Sequence, residues 1–229
     1  MAYVLAVFAV LLVGAGYLLG TRHARSRENA LRTVLDERSE KLTLVEDELL
    51  RNSSIEPTTG LHTQQLFQEF LEREWRRASR QRQWISVIMI EVDHFGSYNE
   101  RHGKPEGDTC LKAIAGALKP LIHRPSDVLA LYGGVGKFGI VLGATDRQGA
   151  VVLAERLRLA VEGLKKPNPA SPTGQLFTAS LGVASAMPER EGAWQDIELI
   201  AAAERALTHA KEAGRNTVIV DAGDALKPG

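Results

Sequence analysis

Phosphate chemistry is the first possibility that the order of residues raises. Gly133-Gly134-Val135-Gly136-Lys137 is a glycine-rich turn ending in a lysine, the composition with which an ATPase wraps nucleotide phosphates in backbone N–H groups. That mechanism also needs a second glycine five positions before the last, a Ser or Thr after the lysine for Mg²⁺, and a following helix that faces the phosphates. Leu131 stands where the second glycine is required, Phe138 follows Lys137, and Phe138-Gly-Ile-Val-Leu142 reads as a strand. The turn is therefore a hairpin between strands, and no carboxylate stands between Gly133 and Phe138. Two further patterns carry charge suited to anions. Lys211 and Arg215 are four apart, the spacing of one helical face. Arg124-Pro-Ser-Asp127 sets a guanidinium, whose planar fork donates two parallel hydrogen bonds, beside a carboxylate. Read alone, these are a solvated helix end and a surface ion pair, just as Asn99 and Asp108 read alone are cap or turn residues.

The elements that must position these residues follow from pattern. The first twenty residues, MAYVLAVFAVLLVGAGYLLG, carry no charge, and as a helix they span about 30 Å, the thickness of a bilayer's hydrocarbon core. The basic residues come afterwards, as Arg22, Arg25 and Arg27. A cleaved signal peptide has the reverse order, and positive flanks stay inside. The expectation is a single span over 1–20 in the inner membrane, with the C-terminal domain in the cytoplasm. Residues 21–55 form an expected helical linker. Leu35, Leu42 and Leu49 fall seven apart, with Leu31 and Val45 on the alternating position and Arg38 interrupting, which predicts either a parallel coiled-coil homodimer or a solvated connecting helix. With 28 basic and 28 acidic residues, no overall field recruits nucleic acid. Cys110 is the only cysteine, which excludes an internal disulfide and a cysteine-rich metal site.

Beyond residue 56 the chain alternates strand and helix. An amphipathic helix (Leu66 to Ala78) precedes the nearly continuous apolar run Ile85–Val92, which suits a strand covered on both faces. A helix over 105–122, strands at 128–132 and 138–142, a helix over 147–163, a strand at 177–184, a helix over 197–213 and a strand at 217–220 follow. The order predicts an α/β domain, an α+β sandwich with helices packed on a mostly antiparallel sheet, over 56–221, with a short tail over 222–229.

Several separated motifs within this span resemble the GGDEF (diguanylate cyclase) family, in order and at family spacing. Glu56-Pro-Thr-Thr-Gly-Leu61 is similar to its Asp-x-Leu-Thr-Gly-Leu opening. Glu91-Val-Asp93-His-Phe95, Asn99 and Gly107-Asp108 resemble its Asp-x-Asp-x-Phe…Asn…Gly-Asp series. Tyr132-Gly133-Gly134 begins the signature turn, and Thr178-Ala-Ser-Leu-Gly182-Val183 and Ala210-Lys211-Glu-Ala-Gly214-Arg215-Asn216 complete the pattern. The resemblance implies a palm-like fold and a chemistry in which two GTP-loaded domains join their nucleotides into cyclic di-GMP, with Mg²⁺ held between a first-strand carboxylate and one in the turn. It also implies that Asn99 and Asp108 contact guanine, that Lys211 and Arg215 contact the triphosphate, and that Arg124 and Asp127 match an Arg-x-x-Asp site that binds a cyclic di-GMP dimer. Arg156 or Arg158 is a further arginine for that site.

Against this pattern the metal site is degenerate. Glu91 replaces the first aspartate, and Val135, Gly136 and Lys137 fill a turn one residue longer than the family's. Lys137 either takes the cation's place or points into solvent, and Gly96 replaces a family lysine. Loss of a metal-binding carboxylate costs several kcal/mol of transition-state stabilisation, about a thousandfold or more in rate. The sequence therefore predicts a non-catalytic, membrane-anchored domain that binds cyclic di-GMP and acts on an unknown protein partner. Mg²⁺ is needed only if GTP is bound, and Glu91 is a vestigial metal ligand. An active cyclase and a non-binding dimerisation scaffold are the alternatives.

Overall fold

The run Ile85–Val92 forms β1, the middle strand of a sheet in the computed structural model of the chain. The other strands are β2 (Asp127–Leu131), β3 (Lys137–Gly143), β4 (Ala179–Ala186) and β5 (Val218–Val220), ordered β2-β3-β1-β4-β5. The structure describes residue 38 and residues 54–172, 174–188 and 196–221. The expected span over 1–20, nearly all of the expected linker and the tail over 222–229 lie outside the described residues. No helix among the described residues is long and apolar enough to cross a membrane.

Both faces of β1 are buried, which explains why its sequence does not alternate. Val87 and Met89 point to one face, where α1 (Gln64–Gln81) contributes Phe67 and Leu71 and α5 (Asp196–Glu212) contributes Leu199, Ala203 and Leu207. Ile88 and Ile90 point to the other, against α3 (Lys104–Leu118) and α4 (Arg147–Glu162), with Ile114, Leu118, Leu157 and Val161. Three strand pairings are antiparallel, and β4–β5 is parallel. Helix α5 lies between β4 and β5 in the chain, and a crossover of this kind is what a parallel pair requires. The expected α/β sandwich with a mostly antiparallel sheet is thus the observed one.

Three of the differences from the sequence expectation have a clear local cause. Phe95–His102 forms a separate helix, α2, which Gly103 (φ 83°) divides from α3. The expected helix over 105–122 stops at Leu118, and Lys119–Leu121 is a 3₁₀ turn, because Pro120 lacks the N–H that would continue the ladder. Strand β4 begins at Ala179 rather than 177, since Phe177 N–H is drawn to Lys166 O at 3.0 Å.

Close packing explains one glycine of the C-terminal motifs. Helix α5 crosses β4 so closely that a Cβ on Gly182 would lie 2.1 Å from Ala203 O and 2.2 Å from Leu207 N. Both contacts are helix backbone, so relief requires α5 to move off the sheet. Gly182→Ala is expected to destabilise the domain by about 3 kcal/mol or more, read as a lower urea midpoint. A midpoint within experimental error of the wild type would show that α5 does not press on β4 at this point.

Candidate functional site

The turn between β2 and β3 is a hairpin. Leu131 pairs with Phe138, and Tyr132 N–H donates to Lys137 O at 2.9 Å. Its reversal runs through Gly133 (φ 67°), Gly134 (φ 151°) and Gly136 (φ 84°). From α1, Gln64 Oε1 accepts the Gly133 N–H at 3.1 Å, and Val92 N–H of the central strand donates to Gly136 O at 2.9 Å. These contacts seat the turn beside the exit of β1, as a metal site shared between them would need.

At that exit the charges pair with one another. Glu91 and Lys137 are neighbours across the β1–β3 ladder, and both side chains reach toward α5. Lys211 Nζ donates to Glu91 Oε1 at 3.0 Å and Oε2 at 3.1 Å. Lys137 Nζ donates to Glu204 Oε1 at 2.7 Å. The expectations for both lysines change accordingly. Of the two expectations for Lys137, the one that points it into solvent is overturned, because Glu204 of α5 takes its ammonium. Lys211 spans to the sheet rather than standing free. Glu204 and Lys211 are seven apart on α5, two turns and one face, and that spacing was the available signal for Glu204.

Mg²⁺ does not fit this corner. A hard cation demands several oxygen ligands in near-octahedral array. Both oxygens of Glu91 are engaged by Lys211, and the turn supplies Val135, Gly136 and Lys137. Asp93, buried at 3% exposure, accepts hydrogen bonds from Thr178 Oγ1 (2.7 Å), Ser180 Oγ (2.7 Å) and Asn216 N–H (3.2 Å). It ties the β1 exit to the start of β4 and the approach to β5, a structural role that its motif position did not reveal.

Asn99 of α2 and Asp108 of α3 line one cleft of about 620 Å³ with Gly133, Gly134 and Val135 of the turn. Asn99 Oδ1 is buried without a hydrogen-bond partner. It occupies room that only a glycine leaves, since a Cβ on Gly107 would lie 1.8 Å from it. Glu56 and Lys104 complete the charged lining. Burial pushes the Glu56 carboxyl up, but hydrogen bonds from Thr59 and Thr58 outweigh it and leave its pKa below the ordinary value. Arg215 departs from its expected place. Helix α5 ends at Glu212, and Gly214 (φ 109°), Arg215 (φ 68°) and Asn216 (φ 44°) turn left-handed. Lys211 and Arg215 therefore do not share a helical face, because the glycine ends the helix between them.

Arg124 and Asp127 line a second cavity, of about 530 Å³, and Arg156 of α4 lines it with them. Of the two arginines named as a further one, Arg156 lines this cavity. Arg158 donates to Glu155 Oε2 (2.8 Å), Glu162 Oε2 (3.0 Å) and Asn216 Oδ1 (2.8 Å), and it is not among the lining residues. Asp127 is half-buried, and burial pushes its carboxyl up more than the hydrogen bond from Ser126 and the charge of Arg124 pull it down.

Residues 53–217 match the family described as "Diguanylate cyclase, GGDEF domain". The chain is 36% identical over 165 residues to "Probable diguanylate cyclase DgcT" of Escherichia coli K12, covering 72% of this chain and 35% of that protein. It thus spans about a third of that relative's length. The solved coiled coil and GGDEF domain of DgcB from Caulobacter crescentus, in complex with c-di-GMP, has a TM-score of 0.65 at 22% identity, covering 84% of this chain and 98% of that one. Diguanylate cyclase SiaD of Pseudomonas aeruginosa, solved with its activator SiaC, has a TM-score of 0.62 at 25% identity over 96% of this chain and 82% of that one. The chain belongs to the GGDEF domain family.

Proposed function

We propose that the chain is a membrane-anchored, catalytically silent GGDEF protein that binds cyclic di-GMP in the cavity of Arg124, Asp127 and Arg156. The observation that carries the reading is the convergence of the Arg124 and Arg156 guanidinium groups and the Asp127 carboxylate on one cavity, whose second carboxylate, Asp146, is engaged in capping α4 through the Gly149 N–H. Cyclic di-GMP presents anionic phosphates and guanine edges. Guanidinium forks match phosphate bidentately, and the carboxylate accepts the N–H donors of guanine. Loss of catalysis is read from the β1 exit, where Lys211 holds Glu91 and the turn has no carboxylate. Anchoring through 1–20, a cytoplasmic domain, and a homodimer through 21–55 belong to the same proposal and rest on the sequence pattern. Two anchored copies already share a plane and a high effective concentration, and a dimer is a natural means of passing the bound state to a protein partner.

The competing reading is an active diguanylate cyclase, which the name of the Escherichia coli relative favours. The two differ in one assay. The full chain in detergent, incubated with GTP and Mg²⁺ or Mn²⁺, is expected to give no cyclic di-GMP above a no-protein control. Product formation in that assay would remove the silent reading.

Calorimetry with cyclic di-GMP tests the cavity. Arg124→Ala is expected to weaken binding about tenfold or more, the usual loss of a hydrogen bond to a charged group. Undiminished affinity would move the site elsewhere, and absence of heat with wild type at tens of micromolar ligand would favour a scaffold.

Asp127 gives a pH signature. Its folded pKa is raised by burial, so its contribution to stability is present below the ordinary carboxylate range and is lost as pH rises through the raised value. Asp127→Asn is thus expected to raise the urea midpoint at pH 7, with the advantage vanishing in acid, while cyclic di-GMP binding falls. A variant less stable than wild type at pH 7 would make Asp127 a structural residue.

A further inference from the structure

We infer that the outward face of α4 is a contact between two copies of this chain, in which the two α4 helices pack antiparallel about a two-fold axis passing between Glu155 and Arg156. The inference gives the proposed homodimer a second point of contact, and it rests on that reading for the proximity of the copies.

Helix α4 is apolar on two opposite faces. Its inner face, Ala150, Ala154, Leu157 and Val161, is buried in the core. A surface helix ordinarily turns polar on the side away from that core. Here Val152 is 57% exposed and Leu159 is 52% exposed. Of the large apolar side chains exposed among the described residues, no others share a helix. Val152 and Leu159 are seven apart, two turns and one row, and Glu155 and Arg156 stand between them. Arg156 is exposed and has no hydrogen bond or ion pair among the described residues. Glu155 gives Oε2 to Arg158 Nε at 2.8 Å and keeps its other oxygen.

The order of the row makes it complementary to itself. A two-fold axis perpendicular to a helix sets that helix antiparallel against its copy, and every contact then occurs twice. With the axis between positions 155 and 156, Val152 of one copy meets Leu159 of the other, and Glu155 meets Arg156. A parallel pairing in register would instead set Glu155 on Glu155 and Arg156 on Arg156, like charge on like, which is unfavourable. Aliphatic and charged positions thus agree on one orientation. The contact is small, well short of the roughly 1,000 Å² by which free proteins hold one another. It suits copies already joined elsewhere, whose effective concentration is on the order of millimolar. Val152 and Arg156 also line the Arg124 cavity, so the pairing sets Leu159 and Glu155 of the second copy against two of its lining residues.

Disulfide trapping in the full chain tests the register. In a Cys110→Ser background, chains with Val152→Cys and chains with Leu159→Cys, differently tagged, are co-expressed and oxidised in membranes. The mixed pair is expected to cross-link about fivefold or more above either variant alone, because like positions in the antiparallel pair lie about 10 Å apart along the axis, beyond disulfide reach. Arg156→Glu sets acid against Glu155 of the second copy and is expected to cut the mixed product about fivefold, and adding Glu155→Arg to it is expected to restore the yield. Absence of the mixed product, a Val152→Cys chain that cross-links to itself as well as to Leu159→Cys, or a yield blind to the charge reversal each overturns the inference. Light scattering of the wild-type chain in detergent reports the homodimer by itself, so failure of this contact and failure of that reading are told apart.

Discussion

Burial of β1 on both faces is the constraint from which the positions of the other parts follow. A strand with no solvent side must be covered by helices above and below, and it must sit between two other strands. Its last residues are then delivered to the edge of the sheet at a fixed place. Glu91 emerges on the α5 side, Asp93 is gripped by β4 and the approach to β5, and α2 starts two residues later. The turn after β2 is held to the same edge by Val92 and Gln64.

The electrostatics at that edge take an unusual form for a place where a metal would be expected. Two carboxylates brought together repel, and a bound cation ordinarily resolves the repulsion. Here the chain supplies its own cations. Glu91 is matched by Lys211 and Lys137 by Glu204, so sheet and helix are joined by two ion pairs. Each is partly solvated and worth little as stability. Their importance lies in what they exclude, since a carboxylate already bonded through both oxygens is a poor ligand for a hard ion.

The sequence was legible where burial leaves its periodic mark. The unbroken apolar run announced β1 as a central strand, and Phe138-Gly-Ile-Val-Leu142 after Lys137 announced a hairpin instead of a phosphate loop. It was less legible where a short element or a surface charge decides. Helix α2 has eight residues, including Gly96 and Ser97, which are weak helix formers. The helical face assigned to Lys211 and Arg215 ignored Gly214, a residue whose usual position is just past a helix end. Glu204 looked like any solvated glutamate, and only its distance of seven from Lys211 hinted at a shared target. Arg156 and Arg158 differ by two residues, so they lie on different sides of α4; Glu155, Glu162 and Asn216 claim one, and the cavity keeps the other.

Strand β2 has five residues, Asp127 to Leu131. Its first residue lines the Arg124 cavity and its last lines the Asn99 cleft. The two cavities are therefore mounted on opposite ends of one rod, roughly 15 Å long at strand rise. A hydrogen-bonded strand resists stretching and compression, so a ligand that shifts one end can move the other only by sliding or tilting the strand as a whole. Sliding would have to move Asp127 and Leu142 out of register. Tilting about β3 would have to break the contact on the strand's other side, where Leu131 N–H donates to His62 O at 2.9 Å, so the two cavities share one stiff wall.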